Sequence, residues 1–250
     1  MKRFDWTILL GFAIGLAAII IAVKLEGLNI AFLWNPTAAL MVGGGTLGAV
    51  IARRGLGGVL NSVKAVWKLQ IKDNNDDSHK VELARLAWLA RSANKNGVKI
   101  YESYVDSFDD ALVEQGLTLL AESADKEQIT AVLNRRINFE QNREMRNIST
   151  IEAAGGYAPT FGILGAVIGL ISVLRVLDQP GMLGTGIAAA FVATIYGIGS
   201  ANLFFFPLAA RLRNRSEKLI QKREELSQVL ISLADKKTPR AIINQFNLRQ

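Results

Sequence analysis

Four uninterrupted apolar runs dominate the pattern of hydrophobic and polar positions along this chain. They are Thr7–Val23, Pro36–Ala52, Ala153–Leu174 and Gly184–Phe206, and none of them contains Asp, Glu, Lys or Arg. Each run is close to the roughly 20 residues that an α-helix needs to cross the hydrocarbon core of a bilayer. A helix also satisfies its own backbone hydrogen bonds in lipid, so the pattern predicts four transmembrane helices.

The polar segment 53–152, between the second and third runs, predicts a soluble helical domain. Apolar residues recur at helical spacing in Val81–Ala93 and again in Asp109–Glu122. Asp125 and Gln128 have the spacing of a capping box, which predicts a third helix that continues toward the third run.

Helical spacing of apolar residues also follows the fourth run, so this helix is predicted to extend far beyond the membrane. Thr238 and Pro239 then form the pattern of an N-cap followed by a first-turn proline, which predicts a short final helix. The predicted fold is therefore an all-α membrane protein.

The distribution of basic residues predicts the orientation of these helices. The net charge is +7, and basic residues lie next to the same end of every hairpin, as Arg53 and Arg54 do after the second run. The positive-inside rule then places both termini and the central domain in the cytoplasm. Attraction to anionic lipid accounts for the charge, and no nucleic-acid partner is expected.

The predicted domains follow from this topology. They are residues 1–52 (first transmembrane hairpin), 53–152 (cytoplasmic helical domain), 153–210 (second transmembrane hairpin) and 211–250 (cytoplasmic C-terminal helices).

Catalytic and metal chemistry find little support in the sequence. The chain has no Cys, which excludes disulfides and thiolate metal sites. The string Asp73–Asp77 is similar to a calcium loop, but Ser78 stands where the loop glycine belongs and Ala84 where the bidentate Glu belongs. His79, the sole histidine, is expected to be an exposed loop residue. We therefore expect neither an enzyme nor a bound metal or cofactor.

The third run carries a strip of small residues. Gly162, Gly165 and Gly169 lie along one side of the predicted helix, and Gly165 with Gly169 has the small-xxx-small spacing that lets another helix approach closely. The strip could contact a partner protein, or it could pack against another span of the same subunit.

Two prolines flank the second hairpin. Pro159 lies near the start of the third run, where a first-turn proline costs no hydrogen bond. Pro207 lies within a helix that is predicted to continue on both sides. Because proline has no backbone N–H, the Leu203 carbonyl lacks its helical donor, and a kink is expected there. That kink could be a hinge or a static bend. Asn202 is expected to face protein or water, because an amide in lipid is costly.

The two spans of this hairpin resemble a known family. The string Ala158–Gly165 (APTFGILG) resembles the third-span signature of the flagellar stator subunits MotA and PomA. The string Ala193–Gly197 (ATIYG), followed by Asn202 and by FFFPLA at 204–209, resembles their fourth span. The resemblance extends over the whole chain, including the long central segment and the basic tail.

The resemblance implies a bacterial inner-membrane protein that forms a ring of five subunits around a dimer of a single-span, MotB-like partner. That partner would carry an essential aspartate and a peptidoglycan-binding domain. The absence of acidic residues from the four runs agrees with this, because a complex that conducts protons through a membrane needs an ionisable group.

The resemblance also assigns roles to residues along the ion path. Pro159 and Pro207 match the two prolines of the family, and Thr194 matches the threonine near the ion. Ala166 stands where sodium-driven relatives have a second threonine. A sodium ion needs several oxygen ligands whereas a proton needs only a titrating carboxylate, so the alanine favours H+ over Na+ as the translocated ion.

The family touches its rotor, the protein FliG, through charges in the cytoplasmic domain. Glu102 matches the acidic contact, and the basic contact is either Arg91 or Lys95. The implied function is an ion-conducting, torque-generating stator subunit. The alternatives are an energiser of the ExbB or TolQ type, which has three spans and an N-terminus outside, and a MotA-like channel subunit of a non-flagellar system.

Overall fold

The chain folds into helices arranged in two compact units. The computed structural model describes residues 3–4, 6–27, 29–69, 71–72, 76–108, 110–175, 178 and 180–246. One unit contains residues 2–72 and 145–213, and we call it the membrane unit. The other contains residues 73–144 and 214–250, and we call it the soluble unit. The four-part division of the sequence analysis stays a prediction.

The helices follow the predicted order. They are α1 (Trp6–Leu25), α2 (Pro36–Ala39), α3 (Gly45–Leu69), α4 (Asp76–Asn96), α5 (Ala111–Ala121), α6 (Lys126–Leu174), α7 (Pro180–Ser200), α8 (Phe206–Ala234) and α9 (Pro239–Gln245). Four helical stretches are long and apolar enough to cross a membrane: Trp6–Leu25, Ile30–Leu69, Lys126–Leu174 and Gly186–Ala234. The prediction of an all-α fold with four spans is confirmed.

Short irregular elements join the helices. A 3-10 turn covers Ile30–Leu33 and a longer 3-10 segment covers Val98–Ser107, while π-helical turns cover Leu40–Gly44 and Ala201–Phe205. Two strands of two residues each, β1 (Arg3–Phe4) and β2 (Ile71–Lys72), pair antiparallel. Such short strands contain too few residues for an alternating pattern to predict them.

The soluble unit has a hydrophobic core of its own. The apolar side chains that are almost completely buried there come from α4, α5, α6, α8 and α9, and they include Leu86, Leu112, Leu117, Leu133, Val229, Leu230 and Ile242. Gly116 brings α5 close to α8, because a Cβ at this position would lie 2.5 Å from a methyl carbon of Leu230. The helices predicted in the central segment are confirmed.

Side-chain caps fix where these helices begin. Asp125 Oδ1 accepts a hydrogen bond from the Gln128 amide at 2.7 Å, as the capping box predicts. Asp110 Oδ1 caps α5 by accepting from the Leu112 amide at 2.9 Å. Thr238 accepts from the Ala241 amide and Pro239 occupies the first turn of α9, which confirms the predicted final helix. The predicted start at Asp109 lies outside the described residues.

A partly buried ionic cluster adds to the core of the soluble unit. The Arg223 guanidinium donates to Glu140 Oε2 at 3.1 Å and to Asp110 Oδ2. Burial acts to lower the pKa of Arg223, but the hydrogen bond and charge of Asp110 together with Glu140 raise it. Burial, and then the charge of Asp110, raise the pKa of Glu82 nearby. The arginine therefore neutralises carboxylates that would otherwise repel each other.

The expectation for His79 was wrong. It lies in α4 rather than in a loop, its side chain is 10% exposed, and its Nε2 lies 2.7 Å from Glu225 Oε2. The helix begins at Asp76, earlier than the apolar spacing indicated, because polar residues can occupy a first helical turn. Residues 73–75 of the calcium-like string lie outside the described residues, and the described residues contain no cluster that could hold a metal ion.

Candidate functional site

Small residues let the third and fourth spans cross with their backbones in contact. A Cβ on Gly162 would lie 2.9 Å from the carbonyl oxygen of Ala193. A Cβ on Gly197 would lie 2.6 Å from the carbonyl oxygen of Ala158 and 3.0 Å from Cα of Pro159. Side chains larger than hydrogen would push the two helices apart, so this crossing requires glycine on both sides.

The glycine strip continues the same contact along α6. A Cβ on Gly165 would lie 2.8 Å from Cβ of Ala193, and one on Gly169 would lie 2.9 Å from Cβ of Ala190. The three glycines Gly162, Gly165 and Gly169 therefore pack against the fourth span of their own chain. The structure shows packing within the subunit, which is one of the two interpretations of the strip. The assignment of the three glycines to partner packing stays a prediction.

Pro159 lies in the interior of α6, which begins 33 residues earlier at Lys126. The expectation of a first-turn proline was wrong, because the helix does not begin where the apolar run begins. An interior proline removes one backbone hydrogen bond, here the one that the Gly155 carbonyl would accept. The ring lies next to the crossing, where Gly197 approaches Cα of Pro159.

Pro207 follows a local change in helical geometry. The π-helical turn Ala201–Phe205 precedes it, and the Phe206 amide donates to the Ala201 carbonyl, five residues back. Such turns occur where a helix accommodates a missing donor, and they are frequent at functional sites. A π-turn thus lies directly before Pro207, and α8 continues beyond it to Ala234. The kink at Pro207 stays a prediction.

Ala166 and Thr194 lie on the two crossing helices and are half-buried. Thr194 is adjacent to the contact itself, because its Cα would lie 3.4 Å from a Cβ on Gly162. Ser200 bonds back to the Gly197 carbonyl at 3.1 Å. Asn202 is exposed on the isolated chain, and its amide donates to the Ile198 carbonyl at 3.0 Å. A backbone carbonyl of the same helix therefore accepts one of the hydrogen bonds that the Asn202 side chain can donate.

Tyr196 has a structural role that the sequence did not reveal. Its hydroxyl donates to the Leu33 carbonyl and accepts from the Asn35 amide. Asn35 Oδ1 in turn caps α2 by accepting from the Ala38 amide at 3.0 Å. The fourth span is therefore fastened to the start of the second. Asn35 followed by Pro36 is a sequence pattern typical of a helix start. The hydrogen bond between Asn35 and a tyrosine 161 residues away could not be predicted from the sequence.

The predicted rotor-contact charges lie in the soluble unit. Arg91 and Lys95 are exposed near the end of α4, and Glu102 is exposed on the 3-10 segment that follows. Gly97 separates the two elements with φ of 80°, in the left-handed region that favours glycine. All three charges are thus available to a partner, and they lie on two neighbouring elements rather than on one helix.

Comparison with known proteins identifies relatives that cover most of the chain. The profile of the MotA/TolQ/ExbB proton channel family matches residues 104–225. Motility protein A of Helicobacter pylori is 32% identical over 191 residues, which cover 73% of this chain and 72% of the relative. Motility protein A of Bacillus subtilis is 29% identical over 238 residues, 95% of this chain and 88% of the relative.

A solved structure agrees in fold as well as in sequence. The flagellar MotAB stator complex from Bacillus subtilis contains a chain that superposes with a TM-score of 0.83 at 28% identity, covering 96% of this chain and 94% of that one.

The close crossing generates a test of stability. We expect Gly197→Ala to lower the thermal unfolding midpoint of the detergent-solubilised protein, because the new methyl meets backbone atoms that cannot rotate away. Overpacking of this kind costs about 1–3 kcal/mol. Gly199→Ala is the matched control: a Cβ there meets nothing within 4 Å, and the gain in helix propensity is the same for both variants. Equal midpoints for the two variants would contradict the close crossing.

Proposed function

The chain belongs to the MotA/TolQ/ExbB proton channel family, and on that premise we propose that it is the ion-conducting, torque-generating stator subunit of a bacterial flagellar motor. The observation that carries this proposal is the agreement along nearly the whole chain, in sequence and in fold, with a subunit of a flagellar stator complex. The agreement covers 96% of this chain.

A partner must complete the ion path. The apolar runs of the four spans contain no acidic or basic residue. A proton that crosses the hydrocarbon core needs a titratable group there, and such groups are rare in membranes and usually functional. The carboxylate therefore comes from a single-span, MotB-like subunit. We propose that five copies of this chain surround a dimer of that partner, the arrangement implied by the family resemblance.

Ion flow drives rotation by changing the charge of the partner's aspartate. A proton reaches the aspartate beside Thr194 and Ala166, on the faces of α7 and α6. Protonation removes a charge and weakens the hold of the aspartate on one site of the ring, so the ring steps to the next subunit. One elementary charge moving through 100 mV supplies about 2.3 kcal/mol, several times the thermal energy.

The two prolines lie where this path is expected to open and close. Pro159 borders the crossing of α6 and α7, and Pro207 follows the π-turn after α7. Each leaves a backbone carbonyl without its helical donor, so each position can bend with little loss of hydrogen bonding. We assign them to gating.

The chain is a multi-pass membrane protein, and we place it in the bacterial inner membrane with both termini in the cytoplasm. Gly55, with φ of 68°, interrupts α3 just after Arg53 and Arg54. The helix that follows exposes an apolar stripe that includes Leu60 and Trp67. Exposed lysines lie beside the stripe, as in helices that rest on an anionic membrane surface.

The output is torque on the rotor protein FliG. We propose that Glu102 and one of Arg91 or Lys95 contact charged residues of the rotor. Exposed charge pairs contribute mainly to the rate and orientation of docking, which suits a contact that forms and breaks at each step. The chain needs no cofactor and catalyses no covalent reaction in this scheme.

The proline assignment is tested by motility. We expect Pro159→Leu and Pro207→Leu each to abolish swimming of a strain that depends on this chain, because a restored N–H straightens the helix at a bending point. Membrane abundance, measured by immunoblot, should stay at the wild-type level. Pro239→Ala is the control and should swim normally, since that proline lies in the first turn of α9. Full motility of both leucine variants would remove the gating role.

Ion choice is tested separately. We propose H+ rather than Na+, because Ala166 supplies no hydroxyl beside Thr194. Swimming speed should therefore fall with a protonophore and be indifferent to sodium concentration. Ala166→Thr alone should not create sodium dependence, since the partner's carboxylate and its surroundings also determine which ion binds. A wild-type swimming speed that tracks the sodium gradient would refute proton coupling, and a sodium-dependent Ala166→Thr variant would show that this chain determines the ion alone.

A further inference from the structure

A cavity of about 640 Å³ that is partly open to the surface lies in the membrane unit. Its walls come from α1, from the second span, from the helix that follows Gly55, from the first turns of the third span and from the fourth span. Apart from a few hydroxyl groups the lining is apolar, with side chains such as Ile20, Val50 and Leu203. The volume lies in the range of pockets that hold small ligands, roughly 300–1,000 Å³.

The hydroxyl groups in the wall are engaged with protein atoms. Ser62 donates to the Gly58 carbonyl at 2.9 Å, Thr150 to the Arg146 carbonyl at 2.8 Å, Ser200 to the Gly197 carbonyl at 3.1 Å and Tyr196 to the Leu33 carbonyl. Thr46 is the exception, since it is 5% exposed and its hydroxyl has no partner among the described residues.

Water and another helix are poor occupants of this cavity. A buried water typically makes two to four hydrogen bonds, and one isolated hydroxyl cannot hold several waters in an apolar chamber. A transmembrane helix is about 10 Å wide with its side chains, whereas this pocket has the size of a site for a small ligand. A hydrocarbon chain matches both the chemistry of the lining and the available volume.

Arg54 contacts the wall of the cavity, and Arg53 precedes it in the chain. Arg54 Nε donates to Thr150 Oγ1 at 3.2 Å, and Thr150 is part of the lining. Arg53 Nη2 donates to Ser149 Oγ at 3.1 Å. A guanidinium has five N–H donors, so these bonds orient the two arginines and leave donors for a phosphate. Phosphate is a preferred ligand of arginine.

We propose that the cavity is a binding site for one anionic phospholipid, with an acyl chain inside the apolar chamber and the phosphate at Arg53 and Arg54. The acyl chain occupies the space between the first span and the second and fourth spans, beside the direct contact that Phe12 makes with Phe204, whose ring centroids are 4.8 Å apart. The site is independent of the ion path and of the proposed stator function.

The test uses the full chain together with its membrane partner in nanodiscs of phosphatidylcholine containing phosphatidylglycerol with a diazirine in one acyl chain. Irradiation should label cavity-wall residues such as Ile20 and Leu203, detected by mass spectrometry of peptides. Gly43→Leu with Gly199→Leu fills the cavity, since both glycines line it and a Cβ on either meets nothing within 4 Å. Labelling of the wall should fall at least tenfold in this variant.

Two controls separate a specific site from general lipid contact. Gly48→Leu also adds a side chain in open space on the second span, but outside the cavity lining, and should label like the wild type. Thr46→Val should also label like the wild type, because an acyl chain has no acceptor for the hydroxyl; a large loss would indicate a polar ligand and overturn the proposal. Labelling confined to outward-facing residues, or unchanged wall labelling in the filled variant, would mean surrounding lipid only and would also overturn it.

A separate measurement tests whether Arg53 and Arg54 bind the phosphate of the lipid. Arg53→Gln and Arg54→Gln should each lower phosphatidylglycerol labelling roughly fivefold, since one basic residue near an anionic membrane surface contributes about 1 kcal/mol. A phosphatidylcholine probe should change less. Native mass spectrometry of the wild-type assembly gives a measurement without any variant, and one retained phosphatidylglycerol per copy of this chain is expected. No retained lipid, or equal losses for both probes, would contradict the assignment of the arginines.

Discussion

The close crossing of the third and fourth spans is the contact on which the rest of the membrane unit depends. Backbone atoms of Gly162 and Gly197 meet where side chains would normally keep two helices several ångströms further apart. In lipid there is little hydrophobic force between helices, so close van der Waals packing of small residues stabilises the pair. The crossing then fixes the positions of Pro159 and Thr194, which are the residues assigned to the ion path.

The absence of charged side chains from the four apolar runs explains why the chain works only as part of an assembly. Apolar runs without charge cross a membrane readily, but they offer no group that can hold a proton there. The titratable group and the scaffold are consequently divided between two proteins. In the proposed scheme, Thr194 and Ala166 of the scaffold border the ion path, while exposed charges of the soluble unit contact the rotor.

Much of this arrangement was predictable because its signals are local. Apolar runs identified the spans, and Asp125 and Thr238 identified helix starts through caps that depend on three or four consecutive residues. The family resemblance supplied the roles of the prolines and of Thr194, which spacing alone does not give.

The features that sequence missed depend on contacts between distant segments. The hydrogen bond between His79 and Glu225 and the hydrogen bonds of Tyr196 join residues far apart in the chain, and the cavity forms only when several spans pack together. Pro159 was misplaced for a related reason. Its helix begins well before the membrane, so the start of the apolar run did not mark the start of the helix.

Proton flux into liposomes tests the division of labour between the two proteins most directly. The purified chain should be reconstituted alone and together with its single-span partner, and acidification should be followed with an internal pH-sensitive dye under an imposed potential. The account predicts flux above that of empty liposomes only when the partner is present with its aspartate intact. Equal flux from this chain alone would contradict it, because the spans would then conduct protons without any carboxylate from outside.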